Sequence, residues 1–260
     1  MKIAFFDSGI GGLTVLEEAI TRFPGIEYLY YADTKNIPYG IKEKDTVIRY
    51  VIQATDFLEK KNIDVLVVAC NTATSVAITE IRMKYDFPVV GMEPAIKPAI
   101  QNNHGKKVLT IATSLTLNES KLNTLISSID KYEKIIKIEM DQLVNYAESN
   151  DFTSVSVKKY IEEKLEKINL NEFETIVLGC THFIFYRKLI KEIVGNSIKI
   201  IDGNNGTINQ LEKIANLSNY KTSIKQSKQK ISFYSSGVLD KKERTDELLK
   251  IIENLRRSRI

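Results

Sequence analysis

Short apolar runs alternate with longer amphipathic stretches along most of the 260-residue chain. The apolar runs, rich in Val, Ile, Leu and Tyr, predict nine strands, at residues 2–6, 28–31, 64–68, 89–90, 107–112, 135–138, 175–178, 198–201 and 231–234. The stretches between them predict helices, among them 14–22, 45–61, 74–84 and 155–168. Such alternation, with strands that are apolar on both sides, is typical of parallel sheets flanked by helices. The pattern therefore predicts an α/β fold.

Two segments of the chain share one design. DVLVVACNT at 64–72 and ETIVLGCT at 174–181 each run from an acidic residue through an apolar strand to a cysteine, with a threonine close behind. This internal similarity predicts two pseudo-symmetric lobes, each with a mostly parallel sheet and one cysteine. Because the last strand and helix follow a connection that starts near residue 202, we assign residues 1–95 with 207–260 to the first lobe, and 96–206 to the second.

Composition and charge narrow the choice of partners. Hydrophobic residues make up 43% of the chain and charged residues 27%, which is the balance of a soluble globular protein rather than of a disordered one. The net charge of +4 is spread along the chain except at residues 256–259, which we interpret as a frayed, solvated C-terminus. Nucleic acid is therefore not expected as a partner.

The location of the protein is predicted from its apolar runs and its two cysteines. The N-terminal run at residues 2–6 is too short for the core of a signal peptide. No run approaches the roughly 18 apolar residues that a membrane helix needs. Two cysteines without an export signal favour a reducing cytoplasm over a disulfide framework. We therefore expect a cytoplasmic protein without a membrane partner.

Four unusual segments fall at the predicted ends of strands. In parallel sheets, ligands bind outside the carboxyl ends of the strands, so these segments predict one shared site between the lobes. They are Asp7-Ser8-Gly9-Ile10-Gly11-Gly12, Pro38-Tyr39-Gly40, Cys70-Asn71-Thr72 and Gly179-Cys180-Thr181-His182.

The glycine-rich segment has competing interpretations. A strand followed by Gly9-x-Gly11 resembles a dinucleotide fingerprint, with Asp33 near the position of a ribose ligand. The third glycine of that fingerprint would be residue 14, which is threonine, and Asp7 would repel a pyrophosphate. A substrate loop is the favoured interpretation, and a purely structural turn is the main alternative.

The two cysteines also have an ordinary interpretation, because a lone cysteine after an apolar strand is usually a small buried hydrophobe. At the start of a helix, however, backbone N–H groups and the helix dipole favour the thiolate. One such thiol, with His182 as its base, could act as a nucleophile in a hydrolase or decarboxylase. A matched second cysteine is needed instead by a reaction that removes a proton from one face of a carbon and returns one to the other face.

Other polar residues near the cysteines could assist this chemistry. Asp7 and His182 can relay or position protons. The hydroxyl and amide groups of Ser8, Asn71, Thr72 and Thr181 can donate to substrate carboxylates, and Tyr39 could cover the site. Cys180 and His182 would supply two metal ligands, but no third is placed, so no metal site is predicted.

The ordered set of four motifs resembles the glutamate racemases of the aspartate/glutamate racemase superfamily, from about residue 3 to about residue 210. The resemblance implies that Cys70 and Cys180 are the two catalytic cysteines, that Asp7 and His182 assist them, and that Glu148 is a site carboxylate. It also implies a set of substrate-contacting positions: Asp7, Ser8, Pro38, Tyr39, Gly40, Asn71, Thr72, Thr113, Thr116, Thr181 and His182. In the segment 110–116 the family pattern has a glycine where this chain has Ala112.

The resemblance further implies a cytoplasmic homodimer that converts L-glutamate to D-glutamate for peptidoglycan, without pyridoxal phosphate, metal or another cofactor. By the same resemblance, Cys70 deprotonates D-glutamate and Cys180 deprotonates L-glutamate. Aspartate is the nearest alternative substrate, because one methylene group is worth only about 1–3 kcal/mol of discrimination. A two-lobed small-molecule binding protein is the alternative that is not an enzyme.

Overall fold

The computed structural model describes residues 1–130, 132–218 and 229–258. Within these residues ten strands form two sheets. The strands are β1 (Lys2–Asp7), β2 (Glu27–Ala32), β3 (Val65–Val68), β4 (Val89–Gly91), β5 (Lys107–Ala112), β6 (Ile135–Glu139), β7 (Phe173–Leu178), β8 (Lys199–Asp202), β9 (Ile231–Ser235) and β10 (Val238–Leu239). All nine strands predicted from the apolar runs are present, with ends that differ by at most two residues.

Four strands of the first sheet have the same order as the four strands of the second sheet. The first sheet runs β10-β9-β2-β1-β3-β4, and the second runs β6-β5-β7-β8. Every pairing is parallel except that of β9 with β10. The order β2-β1-β3-β4 is therefore repeated as β6-β5-β7-β8, which is the structural counterpart of the similarity between segments 64–72 and 174–181. The predicted α/β fold with parallel sheets is confirmed.

Eleven α-helices occur among the described residues, and most of them follow strands. They are α1 (Leu13–Arg22), α2 (Lys44–Glu59), α3 (Asn71–Lys84), α4 (Ile96–Gln101), α5 (Ser114–Asn118), α6 (Ser120–Ile129), α7 (Gln142–Glu148), α8 (Val155–Leu165), α9 (Arg187–Val194), α10 (Asn204–Ile214) and α11 (Lys242–Ser258). Short 3₁₀ helices span Leu170–Glu172 and Thr181–Tyr186.

The prediction of a frayed C-terminus is wrong for the part of it that is described. Helix α11 continues through Ser258, because Leu248 and Ile252 bury one of its faces against the first sheet's core. Arg259 lies outside the described residues. In the described ranges, no helix has both the length and the apolar composition that crossing a membrane requires.

Burial on both faces explains why the central strands of each sheet, such as β1 and β5, are mostly apolar. In β1, Ile3 and Phe5 pack into a core shared with α1, α10 and α11, while Phe6 packs into a second core with α2 and α3. In β5, Leu109 faces the core beneath α7, α8 and α9, and Val108 faces the core with α4 and α6. A strand with alternating polar residues would place polar groups in one of these cores, at a cost in stability.

The carboxyl ends of the two sheets supply the polar segments. Asp7 is the last residue of β1, and Cys70 follows β3 by two positions. In the second sheet, Thr113 follows β5 directly and Cys180 follows β7 by two positions. The matching strand order therefore puts each cysteine at an equivalent point of its own sheet.

Candidate active site

Cys70 caps the N-terminus of α3. Its Sγ accepts a hydrogen bond from the backbone N–H of Ala73 at 3.4 Å and lies 3.7 Å from Oγ of Ser8. Burial, followed by the negative charge of Asp7, raises the pKa of the Cys70 thiol to about 12, although the Ala73 N–H acts in the opposite direction. The expectation that the helix start favours the thiolate is therefore wrong for Cys70. Loss of hydration outweighs the helix terminus, and the resting side chain is a neutral thiol.

Cys180 precedes the 3₁₀ helix Thr181–Tyr186 rather than an α-helix. It is buried, and its Sγ lies 3.8 Å from Nδ1 of His182. The charge of Cys180 is also one of the causes that raise the pKa of Cys70, so the two thiols interact electrostatically. The two sheets thus bring both cysteines into one buried site.

Buried His182 and half-buried Glu148 form a pair beside Cys180. Nε2 of His182 lies 2.7 Å from Oε1 of Glu148, and the same oxygen accepts a hydrogen bond from the Ile10 N–H at 2.7 Å. Burial acts to lower the pKa of His182, but contacts with Cys180 and Glu148 outweigh it and raise that pKa well above its ordinary value. Burial acts to raise the pKa of Glu148, but His182 and the Ile10 N–H hold it below its ordinary value. The pair is therefore an imidazolium and a carboxylate.

Asp7 links the two sheets. Its Oδ1 accepts from the Gly9 N–H at 2.9 Å, and its Oδ2 accepts from Oγ1 of Thr181 at 3.1 Å. Burial raises the pKa of Asp7, and the charge of His182 partly opposes that shift. The charge of Asp7 also raises the pKa of the Cys70 thiol, so Asp7 interacts with residues of both sheets.

Three threonine hydroxyls meet between the half of the molecule built on the first sheet and the half built on the second. Oγ1 of Thr72, at the start of α3, lies 2.9 Å from that of Thr113 and 3.1 Å from that of Thr116. Thr113 and Thr116 are themselves 2.9 Å apart, and all three residues are buried. Each hydroxyl can accept one bond and donate another, so the three can satisfy one another or turn toward a ligand.

The loop after β2 reaches the second half of the molecule. Half-buried Pro38 precedes Tyr39, whose hydroxyl donates to Oδ2 of Asp33 at 2.6 Å. The carbonyl of Gly40 accepts from the Leu115 N–H at 2.9 Å. Asp33 therefore anchors this loop, and the interpretation of Asp33 as a ribose ligand is not supported. The amide of Asn71, in turn, donates to the Met92 carbonyl at 3.3 Å.

The glycine loop is shaped by contacts with the protein itself. A Cβ at Gly9 would collide with the Glu148 carboxylate, and one at Gly11 would collide with Thr181 and His182. These glycines make room for side chains of the second half, in the space that a pyrophosphate would need in a dinucleotide site. The loop thus belongs to the cysteine site rather than to a nucleotide site.

One cavity adjoins this site, and a second cavity lies apart from it. One of about 130 Å³ adjoins Asn71 and Thr116. A larger one of about 1320 Å³ lies between the chain after β4 and the strand β8, and its lining contains none of the predicted site residues. Among the residues that the structure describes, no group of three or more His, Cys, Asp or Glu side chains could hold a metal ion.

Some supporting residues could not be found from the sequence. Asp141 accepts from the N–H and the hydroxyl of Ser114, and so holds the start of α5, which carries Thr116. Asp33 likewise holds Tyr39. Both aspartates follow strands, but so do many surface aspartates, and their partners lie several residues away or on another element.

A family model matches most of the chain. Residues 14–211 match the family model described as Asp/Glu/Hydantoin racemase. The chain belongs to the Asp/Glu/hydantoin racemase family, as its four motifs predicted.

Within that family, the similar proteins are named glutamate racemase. The protein from Halothermothrix orenii is 45% identical over 255 residues, which cover 98% of this chain and all of the relative. Glutamate racemase 2 of Bacillus subtilis is 41% identical over 266 residues, covering 100% of this chain and 99% of that protein. The crystal structure of glutamate racemase from Campylobacter jejuni has a TM-score of 0.79 at 30% identity, and covers 96% of this chain and 97% of that one.

Proposed function

We propose that the chain interconverts L- and D-glutamate, with Cys70 and Cys180 as the paired acid and base. The observation that carries this proposal is the pair of buried thiols at equivalent strand ends of two sheets with the same strand order. Full-length similarity to proteins named glutamate racemase supports glutamate as the substrate over aspartate.

In the L-to-D direction, the Cys180 thiolate removes the α-proton from one face of the substrate. The Cys70 thiol then donates its proton to the other face of the carbanion, which leaves a Cys180 thiol and a Cys70 thiolate. The raised pKa of Cys70 supports this assignment, since it keeps Cys70 in the thiol form that donates. The imidazolium of His182 stabilises the Cys180 thiolate, and Asp7 assists proton transfer at Cys70.

The carbanion needs stabilisation, because the α-proton of an amino acid is far less acidic than a thiol. Hydroxyl, amide and backbone N–H donors that are already oriented can supply it in a site closed to water. We assign this role, and the binding of the substrate carboxylates, to residues on both halves: Ser8, Gly40, Asn71, Thr72, Thr113, Thr116 and Thr181. Their burial supports a site that excludes water when it is closed.

The remaining parts of the proposal rest on the family resemblance and on the sheets. The lobes comprise residues 1–95 with 207–260, and 96–206, and the pairing of β9 with β2 supports the return of the chain to the first lobe. The protein acts in the cytoplasm as a homodimer, uses no cofactor and supplies D-glutamate for peptidoglycan.

Circular dichroism of the purified protein, without added cofactor, tests the substrate. The signal of L-glutamate should decay to zero, while that of L-aspartate should persist. If only the signal of L-aspartate decays, the substrate is aspartate and the assignment of glutamate is wrong. A protein that binds glutamate but exchanges no α-proton with D₂O would be a binding protein rather than an enzyme.

The variants Cys70→Ala and Cys180→Ala, incubated in D₂O with each enantiomer, test the mechanism. Loss of either thiol should reduce racemisation by about 10²–10⁴-fold, because general acid and base groups contribute that much. A single-cysteine enzyme would tolerate the loss of one thiol, so free racemisation by either variant would refute the two-base mechanism.

A further inference from the structure

The C-terminal helix α11 contacts both halves of the molecule close to the cysteine site. Its residues Leu248 and Ile252 are buried in the core that also holds Leu13 of α1, the helix that follows the glycine loop. From the same helix, Glu247 reaches the end of α7, the helix that carries Glu148. Helix α11 therefore joins the loop after β1 to the carboxylate beside His182.

The contact with α7 is made through Asn150. Its backbone is left-handed, with φ of 56°, and its N–H donates to the Ala147 carbonyl at 2.9 Å, so Asn150 closes the end of α7. Its Nδ2 donates to Oε1 of Glu247 at 3.0 Å, and Oε2 of Glu247 accepts from Nη1 of Arg244 at 2.8 Å. The residue two positions after Glu148 is thus tied to α11.

The position of the Glu148 side chain is fixed by two short contacts at once. One of its oxygens must meet both the Nε2 of His182 and the Ile10 N–H, each at 2.7 Å. Burial acts to raise the pKa of Glu148, and the positive charge of Arg244 joins His182 and the Ile10 N–H in lowering it. A shift of the end of α7 would lengthen the bond to His182, and small displacements of this kind reduce catalytic rates strongly.

We propose that Glu247 and Asn150 are positioning residues for the Glu148–His182 pair, and through it for the proton transfer at Cys180. The inference rests on the two-thiol function proposed above. The bond between Glu247 and Asn150 is exposed and contributes little to folding stability, whereas Leu248 and Ile252 hold α11 in place. Its removal therefore leaves a folded protein in which Glu148 is less well held.

The variant Asn150→Gly tests this, because glycine keeps the left-handed backbone and removes only the amide. Glu247→Ala removes the other partner, and Glu253→Ala, at an exposed position of the same helix, is the matched control. We expect kcat to fall about threefold to tenfold in the first two variants, as for the loss of one hydrogen bond, and not in the control. The double variant should be no slower than the single ones.

Isotope effects separate positioning from a general loss of folded enzyme. The equilibrium constant between enantiomers is one, so kcat/KM falls equally in both directions and cannot locate the affected step. If transfer at Cys180 slows, the primary isotope effect on α-deuterated L-glutamate should rise, and that on α-deuterated D-glutamate should fall. A smaller folded fraction would change neither.

Suppose that the wild-type protein racemises glutamate, but that the isotope effects in both variants are unchanged or change equally for the two enantiomers. That result would overturn the roles of Glu247 and Asn150 and leave the proposed function standing. A wild-type protein that does not racemise glutamate would instead overturn the proposed function. Thermal unfolding of all four variants, including the double variant, checks that each is folded.

Discussion

At the scale of single residues, burial decides the ionisation states of the site. Cys70 is held as a thiol because its charged form would lose hydration without a cation to replace it. His182 is equally buried, but it has a carboxylate and a thiol as neighbours, and these neighbours decide its charge. The same loss of hydration therefore gives opposite results for two groups that belong to one reaction.

The Glu148–His182 pair gives a prediction at this scale. Replacing Glu148 by Gln removes one of the two neighbours that oppose burial, while Cys180 remains, so the pKa of His182 should fall from its raised position. The chain has two histidines, so NMR titration can follow both, and a His104→Asn variant assigns the signals. An unchanged titration of His182 in Glu148→Gln would contradict the pairing.

The pair also sets a pH window for stability. The raised pKa of His182 stabilises the folded state fully below about 6.5, and that contribution is lost as the pH rises through the folded-state value. The lowered pKa of Glu148 stabilises it above about 4.5, and that contribution is lost as the pH falls through its folded-state value. The difference in unfolding free energy between wild type and Glu148→Gln should therefore be largest between about pH 4.5 and pH 6.5.

At the scale of elements, the start of α3 serves both the fold and the site. The Cys70 thiol accepts the Ala73 N–H, so it acts as the N-cap of the helix as well as a member of the thiol pair. Cys180 sits at the equivalent strand end but makes no capping hydrogen bond to the 3₁₀ helix that follows it, all of which lies within the described residues. The two thiols are therefore equivalent in topology but not in local bonding.

Serine and alanine substitutions can separate these two roles. Serine caps helices well and alanine does not, so Cys70→Ser should be more stable than Cys70→Ala by about 1 kcal/mol in urea unfolding. The same two substitutions at Cys180 are the control and should differ by less. Equal stability of the two Cys70 variants would mean that the thiol contributes nothing as a cap.

At the scale of the whole molecule, the site exists only where the two halves meet. Lys44 of α2 lies 2.7 Å from the carboxylate of Glu119, and Gly40 bonds to Leu115, so several contacts close the halves over the cysteines. The buried threonine group adds to this closure. The proposed function therefore requires that some of these contacts separate when substrate reaches the buried thiols.

Gly40 is the position where this closure can be tested most directly. A Cβ there would lie 2.6 Å from Cβ of Thr113, so Gly40→Ala should hold the halves apart and reduce kcat/KM by about 10²-fold while the protein stays folded. Gly206→Ala in α10 is the control, since its Cβ would meet no described atom within 4 Å and its activity should not change. Full activity of Gly40→Ala would show that the halves can close without this contact.

The nine predicted strands, the parallel α/β class and the matched pair of cysteines all follow from the amino-acid sequence. Apolar runs and strand–turn–helix order are local properties, and the central strands bury both of their faces, so their short apolar runs and flanking turn residues mark them. The motifs at the strand ends also identified the family. Even the helix ends, such as that of α2 at Glu59, differ from prediction by only a few residues.

The hydrogen bonds and the charges within the site, by contrast, depend on how the chain folds in three dimensions. The contact between Glu148 and His182, the anchoring of Tyr39 by Asp33 and the bond from Glu247 to Asn150 join distant segments, and no local pattern encodes such pairings. The raised pKa of Cys70 depends on how deeply the folded chain buries it. The helix start predicted the opposite, because loss of hydration is a property of the whole packed molecule.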